Sequence, residues 1–385
     1  MTNISLFNYN LVLITKVLVL TFISILFFST LISIHSVGSA NAQFNVPESL
    51  PEIIIESDGS INPPTPFIKQ QENQYTLTND LIGKYAILVR CSNIVIDGEN
   101  HTIDGENAGN RGGGIDIDRV SNVTVKNIKI TNFFFHGLVI GSSPNCSIIN
   151  SHFTNNHFMG IVIGDSPNCS IINNYITSNG NNGIALTQSN NVVVTKNKIS
   201  NNVIAINLDL SNENDIFRNE IFEDRAVGFC LLNSQGNIIH KNNVTDCVTG
   251  IAFNHAFASD PSRNVTASNN SFFLNNFVNN SVQVSFQYDI FENLFDNGRE
   301  GNFWSEYNGI DSNGDGIGDT AYVFDDSNVD NYPLVACFNI NTEGVLPTPS
   351  PSPEPFLTTL AVVSIATIAI IGMGILFYFK KIKKN

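Results

Sequence analysis

Short β-branched stretches, such as Val123-Thr124-Val125, Ile148-Ile149, Val192-Val193-Val194 and Ile238-Ile239, recur between Asn- and Gly-rich breaks. No stretch among them keeps an apolar 3.6-residue period over the roughly ten positions that a helical repeat needs. The segments therefore read as strands of about three residues, punctuated by turns. Their repetition is regular: the eight residues Ser143 to Asn150 recur identically at Ser166 to Asn173, an offset of 23. A fixed period of this size predicts a solenoid. Three short strands in each 23-residue turn predict an all-β right-handed parallel β-helix, with equivalent residues stacked ~4.8 Å apart. Eight to nine rungs are expected from about Ile87 to Gln287.

Polar columns share the period. Asn122, Asn145, Asn168, Asn191, Asn214 and Asn237 stand 23 apart, with Asn264 after 27. A second column holds Asn127, Asn150, Asn173, Asn219, Asn242 and Asn269, with Lys196 as its exception and Asn197 beside it. A third begins strands with glycine at Gly114, Gly137, Gly160 and Gly183. Turn asparagines tolerate left-handed backbone and can hydrogen-bond the next amide above, so both asparagine columns are expected to be inward ladders. Cys146 and Cys169 share a column with Val123, Val192 and Ile238, and are expected to pack as small apolar residues, with a bridge between rungs as the alternative. The other cysteines are Cys91, Cys230, Cys247 and Cys337. Of the glycosylation sequons, those at Asn122, Asn145, Asn168 and Asn264 fall on the first ladder column, so Asn100 and Asn243 are the expected acceptors.

An open solenoid end exposes sheet edges and core, so residues 43–84 and 288–340 are expected to cap the rungs at 85–287. The second cap contains Asp311-Ser-Asn313-Gly-Asp315-Gly316-Ile317-Gly318-Asp319. Oxygen side chains at relative positions 1, 3, 5 and 9, a glycine at 6 and a carbonyl at 7 match the first part of a calcium loop. Asp311, Asn313, Asp315, Ile317 through its carbonyl, and Asp319 are the expected Ca2+ ligands. Tyr322 occupies the place of the closing glutamate of an EF-hand, so Asp325, Asp326 or water would complete the shell. The alternative is an acidic hairpin with no ion.

Charge then places the folded part. The 385 residues carry 19 Lys+Arg against 34 Asp+Glu, a net charge of -15, which excludes a basic nucleic-acid binder. One cation, Lys16, precedes the apolar run Val17 to Ile34; small residues and Ala40-Asn41-Ala42 follow it. Residues 1–42 thus read as a secretory signal cleaved after Ala42, with an uncleaved signal anchor as the alternative. Phe356 to Phe379 is free of charge and long enough to span a bilayer, and Lys380, Lys381, Lys383 and Lys384 follow it. The alternating prolines of the 341–355 linker favour a stiff extended spacer. The expected topology is a single-pass membrane protein with an extracellular folded domain, a transmembrane helix at 356–379 and a cytoplasmic tail at 380–385. The strongly acidic exterior part favours cations over phosphates as partners.

The repeats, with Gly301-Asn302-Phe303-Trp304-Ser305-Glu306-Tyr307, the Asp311 to Thr320 loop and Val329-Asp330-Asn331-Tyr332-Pro333-Leu334, resemble the NosD-like right-handed β-helix proteins. The resemblance covers roughly residues 85–335. It implies a β-helix of the broad class found in carbohydrate-binding proteins and sugar hydrolases, and by name a link to periplasmic copper delivery.

For catalysis on a polysaccharide, the carboxylates Asp97, Asp104, Asp116, Asp118 and Asp165 lie near Arg90, Arg111 and Arg119 in sequence. The column through Asp116 continues as Val139, Val162 and Ala185, so no acidic face persists, and no catalytic residue is assigned. Copper would want His and Met: His136, Met159 and His157 approach one another in the period, but amid Phe133, Phe134, Phe135 and Phe158 they are expected to be packing neighbours rather than ligands. The sequence reading is a surface-anchored carbohydrate-binding or surface-structural module with a polysaccharide or surface glycan as partner. A polysaccharide lyase or hydrolase is the first alternative, and a NosD-like copper accessory protein the second.

Overall fold

The computed structural model describes residues 52–83, 86–106, 112–254, 267–287 and 292–341. The expected leader at 1–42, membrane span at 356–379 and tail at 380–385 lie outside the described residues, as do Arg111, Asn264 and all of the linker but Asn341. Among the described residues, no helix is long and apolar enough to cross a membrane.

The chain forms a parallel β-solenoid of about 9 turns, built from sheets of 11, 10 and 10 strands. Apart from Ile61–Asn62 and Ile68–Gln71, which pair antiparallel at the N-terminal end of the first and second sheets, each sheet grows by in-register parallel pairing with the next turn. The first sheet contains His136–Gly141, Met159–Gly164 and Asn182–Thr187; the second contains Ser147–Ile149 and Ser170–Ile172; the third contains His152–Thr154 and Tyr175–Thr177. In the three-residue strands only the middle side chain points inward. The second sheet thereby stacks Val125, Ile148, Ile171, Val194, Ile216 and Ile239, and the third stacks Ile130, Phe153, Ile176, Ile199 and Ile221, all fully buried. Each such side chain contributes about 1.5–3 kcal/mol of burial. The glycines ahead of the first-sheet strands have a steric cause: a Cβ at Gly137 would lie 2.7 Å from the carbonyl of Gly160 and 2.9 Å from Asn156 Nδ2.

The parallel pairing extends past both expected ends. Ile53–Ile55 pairs with Ile87–Val89, and Gln74–Leu77 with Val95–Asp97, so the first turn uses residues expected in the N-terminal cap. Phe303–Trp304 joins the third sheet beside Asn276–Val278. Trp304 is fully buried there, stacked between Phe277 at 4.6 Å and Tyr322 at 5.3 Å, and covers the end of the core.

The expected asparagine columns need correction. The rung spacing is 23 residues at Thr177 and Ser200 but 22 at Asn182 and Ile204, because the turn after Lys198–Ser200 is one residue shorter. Beyond it, a 23-residue count slips by one position. Asn122, Asn145, Asn168 and Asn191 are exposed residues with φ of 56–61°, whereas Asn214 and Asn237, placed with them by counting, are buried in the column of Cys146, Cys169 and Val192. Asn127, Asn150, Asn173 and Lys196 likewise occupy left-handed turn positions on the outside, and Asn219 and Asn242 align with Asn197 within. Ile238 aligns with Ser170 and Val193 on the outer face and is 44% exposed. The sequons at Asn122, Asn145 and Asn168 are therefore on exposed turns, while Asn243 is half-buried within a strand.

The buried ladders run at the corners. One passes through Asn174, Asn197, Asn219, Asn242, Asn275 and Asn302 and ends on Asp330. A second runs through Asn156, Asn179 and Asn202 to Asp224. A third runs through Asn214, Asn237, Asn270, Asn293 and Asn328, whose amide meets Asp325 at 3.0 Å. A serine column, Ser143, Ser166, Ser189, Ser211 and Ser234, accepts one main-chain N–H at each step. In the asparagine ladders Oδ1 accepts from the main chain and, at most steps, the side chain of the residue one rung earlier, while Nδ2 reaches a carbonyl of the previous turn, as Asn197 does with Ile171. Corner amides that a solenoid must bury are thereby paired.

Candidate functional site

The acidic N-terminal stretch is dispersed. Asp97 belongs to the second sheet, Asp104 to the third, and Asp116 and Asp118 to the first. Asp97 is buried; burial alone would raise its pKa, but the Lys126 ammonium at 2.9 Å, the Asn127 amide and the Glu99 N–H outweigh that and hold it below the usual carboxylate range. Asp104 accepts from Asn132 Nδ2 and Glu106 N–H. Arg90 pairs with Glu56 and Arg119 with Asp118. Asp165 is an exposed turn residue with φ of 49°. Asp116 and Asp118 project from one face of Ile115–Asp118, and desolvation, then Asp118 and Glu52, raise the Asp116 pKa. The next rung places Val139 beside Asp116 and Gly141 beside Asp118, so nothing there continues an acid–base pair.

In the Asp311 to Asp319 loop, the side chains fold inward on the loop's own backbone. Asp311 accepts from the N–H groups of Gly314, Asp315 and Gly316, which hold its carboxyl below the usual range, the Gly316 bond foremost. Asn313 accepts from Asp315 N–H, Asp315 from Ile317 N–H, and Asp319 from Ser312 N–H. The loop is fastened to the last turn by Ile317 opposite Leu334 and by Val335 N–H donating to the Gly316 carbonyl. Asp325, named with Asp326 and water as completing a calcium shell, accepts from the side-chain amide of Asn328. Among the described residues, no group of three or more His, Cys, Asp and Glu is drawn into a metal-holding cluster.

The third place is a column on the outer side of the first sheet. His136 and Met159 are register partners on adjacent strands, and the same register carries the column to Asn182, which pairs in turn with Ile204, and then to Val227. Ile204 and Val227 belong to a small cluster with Cys230 and Ala252 that is separate from the interior core, so the column faces outward. Met159 is nonetheless only 6% exposed and Asn182 fully buried. His136 lies beside Phe158 and Phe135, and burial drives its pKa down to about 4. Among the described residues, His136 Nδ1 and both amide atoms of Asn182 are buried without a hydrogen-bond partner. His157 does not join them: it is exposed and stacked on Phe134 at 5.8 Å. The sequence spacing thus finds His136 and Met159 but misses Asn182, whose only signal is its place one rung further in the column.

One aromatic row crosses the turns. Phe217, His240 and Phe273 stack at 5.1 Å with interplanar angles of 19° and 18°, so the rings cover one another's faces and leave mainly edges outward. Cys146 and Cys169 are free, buried thiols whose sulfurs meet the carbonyls of Pro144, and of Ser143 and Pro167, respectively.

Fold and site together define a parallel β-solenoid with an outward histidine–methionine pair on its first sheet. Residues 70–309 match the family model described as periplasmic copper-binding protein (NosD), and the chain belongs to that family. No curated protein matches the chain. Similar solved structures include a double mutant of the periplasmic alginate epimerase AlgG, with a TM-score of 0.46 and 16% identity over 55% of this chain and 51% of that one. The Dettilon tailspike protein gives 0.39 and 18% over 53% and 42%, and DFA-IIIase from Arthrobacter chlorophenolicus A6 gives 0.37 and 17% over 56% of each chain. The chain spans about half the length of these solved structures.

The family description raises the question of whether this chain's residues suit copper. An imidazole nitrogen with no partner among the described residues, in register with a thioether, is a soft donor set of the kind copper(I) takes. The residues fit.

Proposed function

We propose that this chain is an exported NosD-family β-solenoid that binds copper on the outer face of its first sheet. The observation that carries the reading is the unpartnered, buried Nδ1 of His136 beside Met159. Leaving such a nitrogen unsatisfied costs roughly 1–3 kcal/mol, a cost that a bound ion removes. The test is anaerobic titration of the full-length protein with Cu(I) against a chromophoric Cu(I) chelator. Retention of about one ion per chain at chelator excess supports the reading; complete loss of copper to the chelator sinks it.

A second reading, glycan binding outside the cell, rests on the exposed amide rows. Asn145, Asn168 and Asn191 present one polar group per rung on the outside, and Asn150 and Asn173 are linked at 2.8 Å. A linear polar array suits an extended polymer better than a compact ligand. A glycan array probed with the full-length protein would decide it, and no binding above background would remove it. The alternative of catalysis on a polysaccharide is not supported by any convergent acid–base pair among the described carboxylates.

Two further expectations stand as parts of the same proposal: a single-pass anchor holding the domain outside the cell, and Ca2+ bound by Asp311, Asn313, Asp315, Ile317 and Asp319 as a fastener of the last turn. The calcium part is supported by ligand-type spacing and by the loop's attachment at Leu334 and Val335.

A further inference from the structure

Parallel strands put register partners on the same face at one rung spacing, ~4.8 Å. His136 and Met159 are such partners. The imidazole of one rung and the thioether of the next therefore stand side by side on the outer face, where the two could hold one ion between them. Two ligands in a near-linear arrangement satisfy a d10 ion such as Cu(I), whereas Cu(II) prefers a tetragonal set of nitrogen and oxygen donors.

A second observation points to a ligand independently. Asn182, next in the column beyond Met159, is fully buried with Nδ2 and Oδ1 both unpartnered. The corner asparagines of this solenoid, such as Asn174, Asn197 and Asn219, are paired through both amide atoms. The thioether of Met159 is therefore bracketed by unsatisfied polar side chains on the rungs before and after it, in a protein that otherwise pairs its buried amides with care.

We infer that His136 and Met159 form a Cu(I) site across two adjacent rungs, with His136 Nδ1 and Met159 Sδ as the ligands and the unpaired amide of Asn182 bordering the site on the next rung. This rests on the copper reading above and assigns its ligands and oxidation state. The neutral donor set favours Cu(I) over Zn2+ and Ca2+, which take carboxylates and thiolates more readily. His157, exposed and stacked on Phe134, is not a ligand.

The test uses the full-length protein with its accessible thiols blocked by iodoacetamide, since Cys337 is exposed and would take Cu(I) on its own. Cu(I) competition is measured for the wild type, His136→Gln, Met159→Leu and His157→Gln. In parallel, the methyl resonances of the 3 methionines are followed by NMR, where only one is that of Met159. The site predicts a Cu(I)-dependent shift of the Met159 methyl, at least about a tenfold loss of affinity in His136→Gln and Met159→Leu, and none in His157→Gln. If the wild type binds Cu(I) but both variants bind equally well and the methyl does not move, the assignment fails and copper binding survives only at another place on the chain. If the wild type binds no Cu(I), both fail. Should His136→Gln prove unfolded by circular dichroism, Met159→Leu and the wild-type methyl shift decide alone.

Discussion

Asp224 Oδ1 accepts two hydrogen bonds from Asn202, 2.7 Å from its main-chain nitrogen and 3.1 Å from its side-chain amide, while Asp224 Oδ2 has no partner. At the equivalent point, Asn179 and Asn202 use their Nδ2 to reach the carbonyls of Phe153 and Ile176. A carboxylate oxygen set into a donor's place gains only by holding a proton. Burial accordingly raises the Asp224 pKa to about 7, against the lowering effect of the Asn202 bonds and Arg225.

The pH dependence follows. The folded state holds this proton more tightly than the unfolded chain, so the stabilisation is complete below about pH 4 and is lost as pH rises through about 7. Asp224→Asn restores a donor and removes the titration. Urea unfolding followed by circular dichroism should show the variant more stable than wild type by about 1–3 kcal/mol at pH 8, with the gap closing at pH 5. An equal gap at both pH values would mean that Asp224 is not the titrating group. Asp330, raised to about 6 by burial in spite of bonds from Asn302, Trp304 and Tyr332, adds a smaller dependence of the same sign that Asp224→Asn leaves in place.

The corrected register makes opposite predictions for neighbouring asparagines. Asn197→Ala strands the main-chain and side-chain N–H groups of Asn174 and the carbonyl of Ile171, and should cost roughly 3–5 kcal/mol. Asn173→Gly keeps the left-handed turn, where φ is 54°, and loses one exposed bond, so its effect should stay under about 1 kcal/mol. Equal costs in denaturant unfolding would restore the simple 23-residue count.

Calcium at the last turn should raise the unfolding midpoint by mass action, about 2.7 kcal/mol at a hundredfold excess over Kd. The expected outcome in scanning calorimetry is a lower midpoint with chelator and no chelator effect in Asp315→Ala. An identical midpoint with and without chelator in wild type would leave the loop a turn held by Asp311 alone.

Cys169 stacks between Cys146 and Val192 in the core, so Cys169→Val extends an existing valine column. Its cost should be under about 1.5 kcal/mol, read from the shift in urea midpoint. A much larger loss would show that the thiol contact with Cys146 contributes more than packing.

The strand pattern was legible because most inward positions are β-branched, Leu or Phe, and because Gly137, Gly160 and Gly183 are sterically fixed. The ladder register was not. Asparagine serves both the exposed left-handed turn, as at Asn173, and the buried position beside it, as at Asn174, so residue identity cannot tell the two columns apart. The shortened turn before Ile204 then moves the count from one to the other. The His136–Met159 pair lies upstream of that turn, where counting holds. Asn182 escaped notice because its unusual property, two unpaired amide atoms, belongs to its surroundings and not to its spacing.

The amide rows have a direction. The main-chain N–H groups of Asn174, Asn197, Asn219, Asn242, Asn275 and Asn302 all point toward the C-terminal end, and the carboxylate of Asp330 receives the last of them at 2.8 Å. This row of main-chain donors thus resembles a helix N-terminus that meets an aspartate cap. A row that ends on an asparagine could pass its hydrogen bonds to a further turn or to a second molecule. One that ends on an acceptor has nothing left to donate, so the same repeats that propagate so readily within the chain are chemically terminated at its edge.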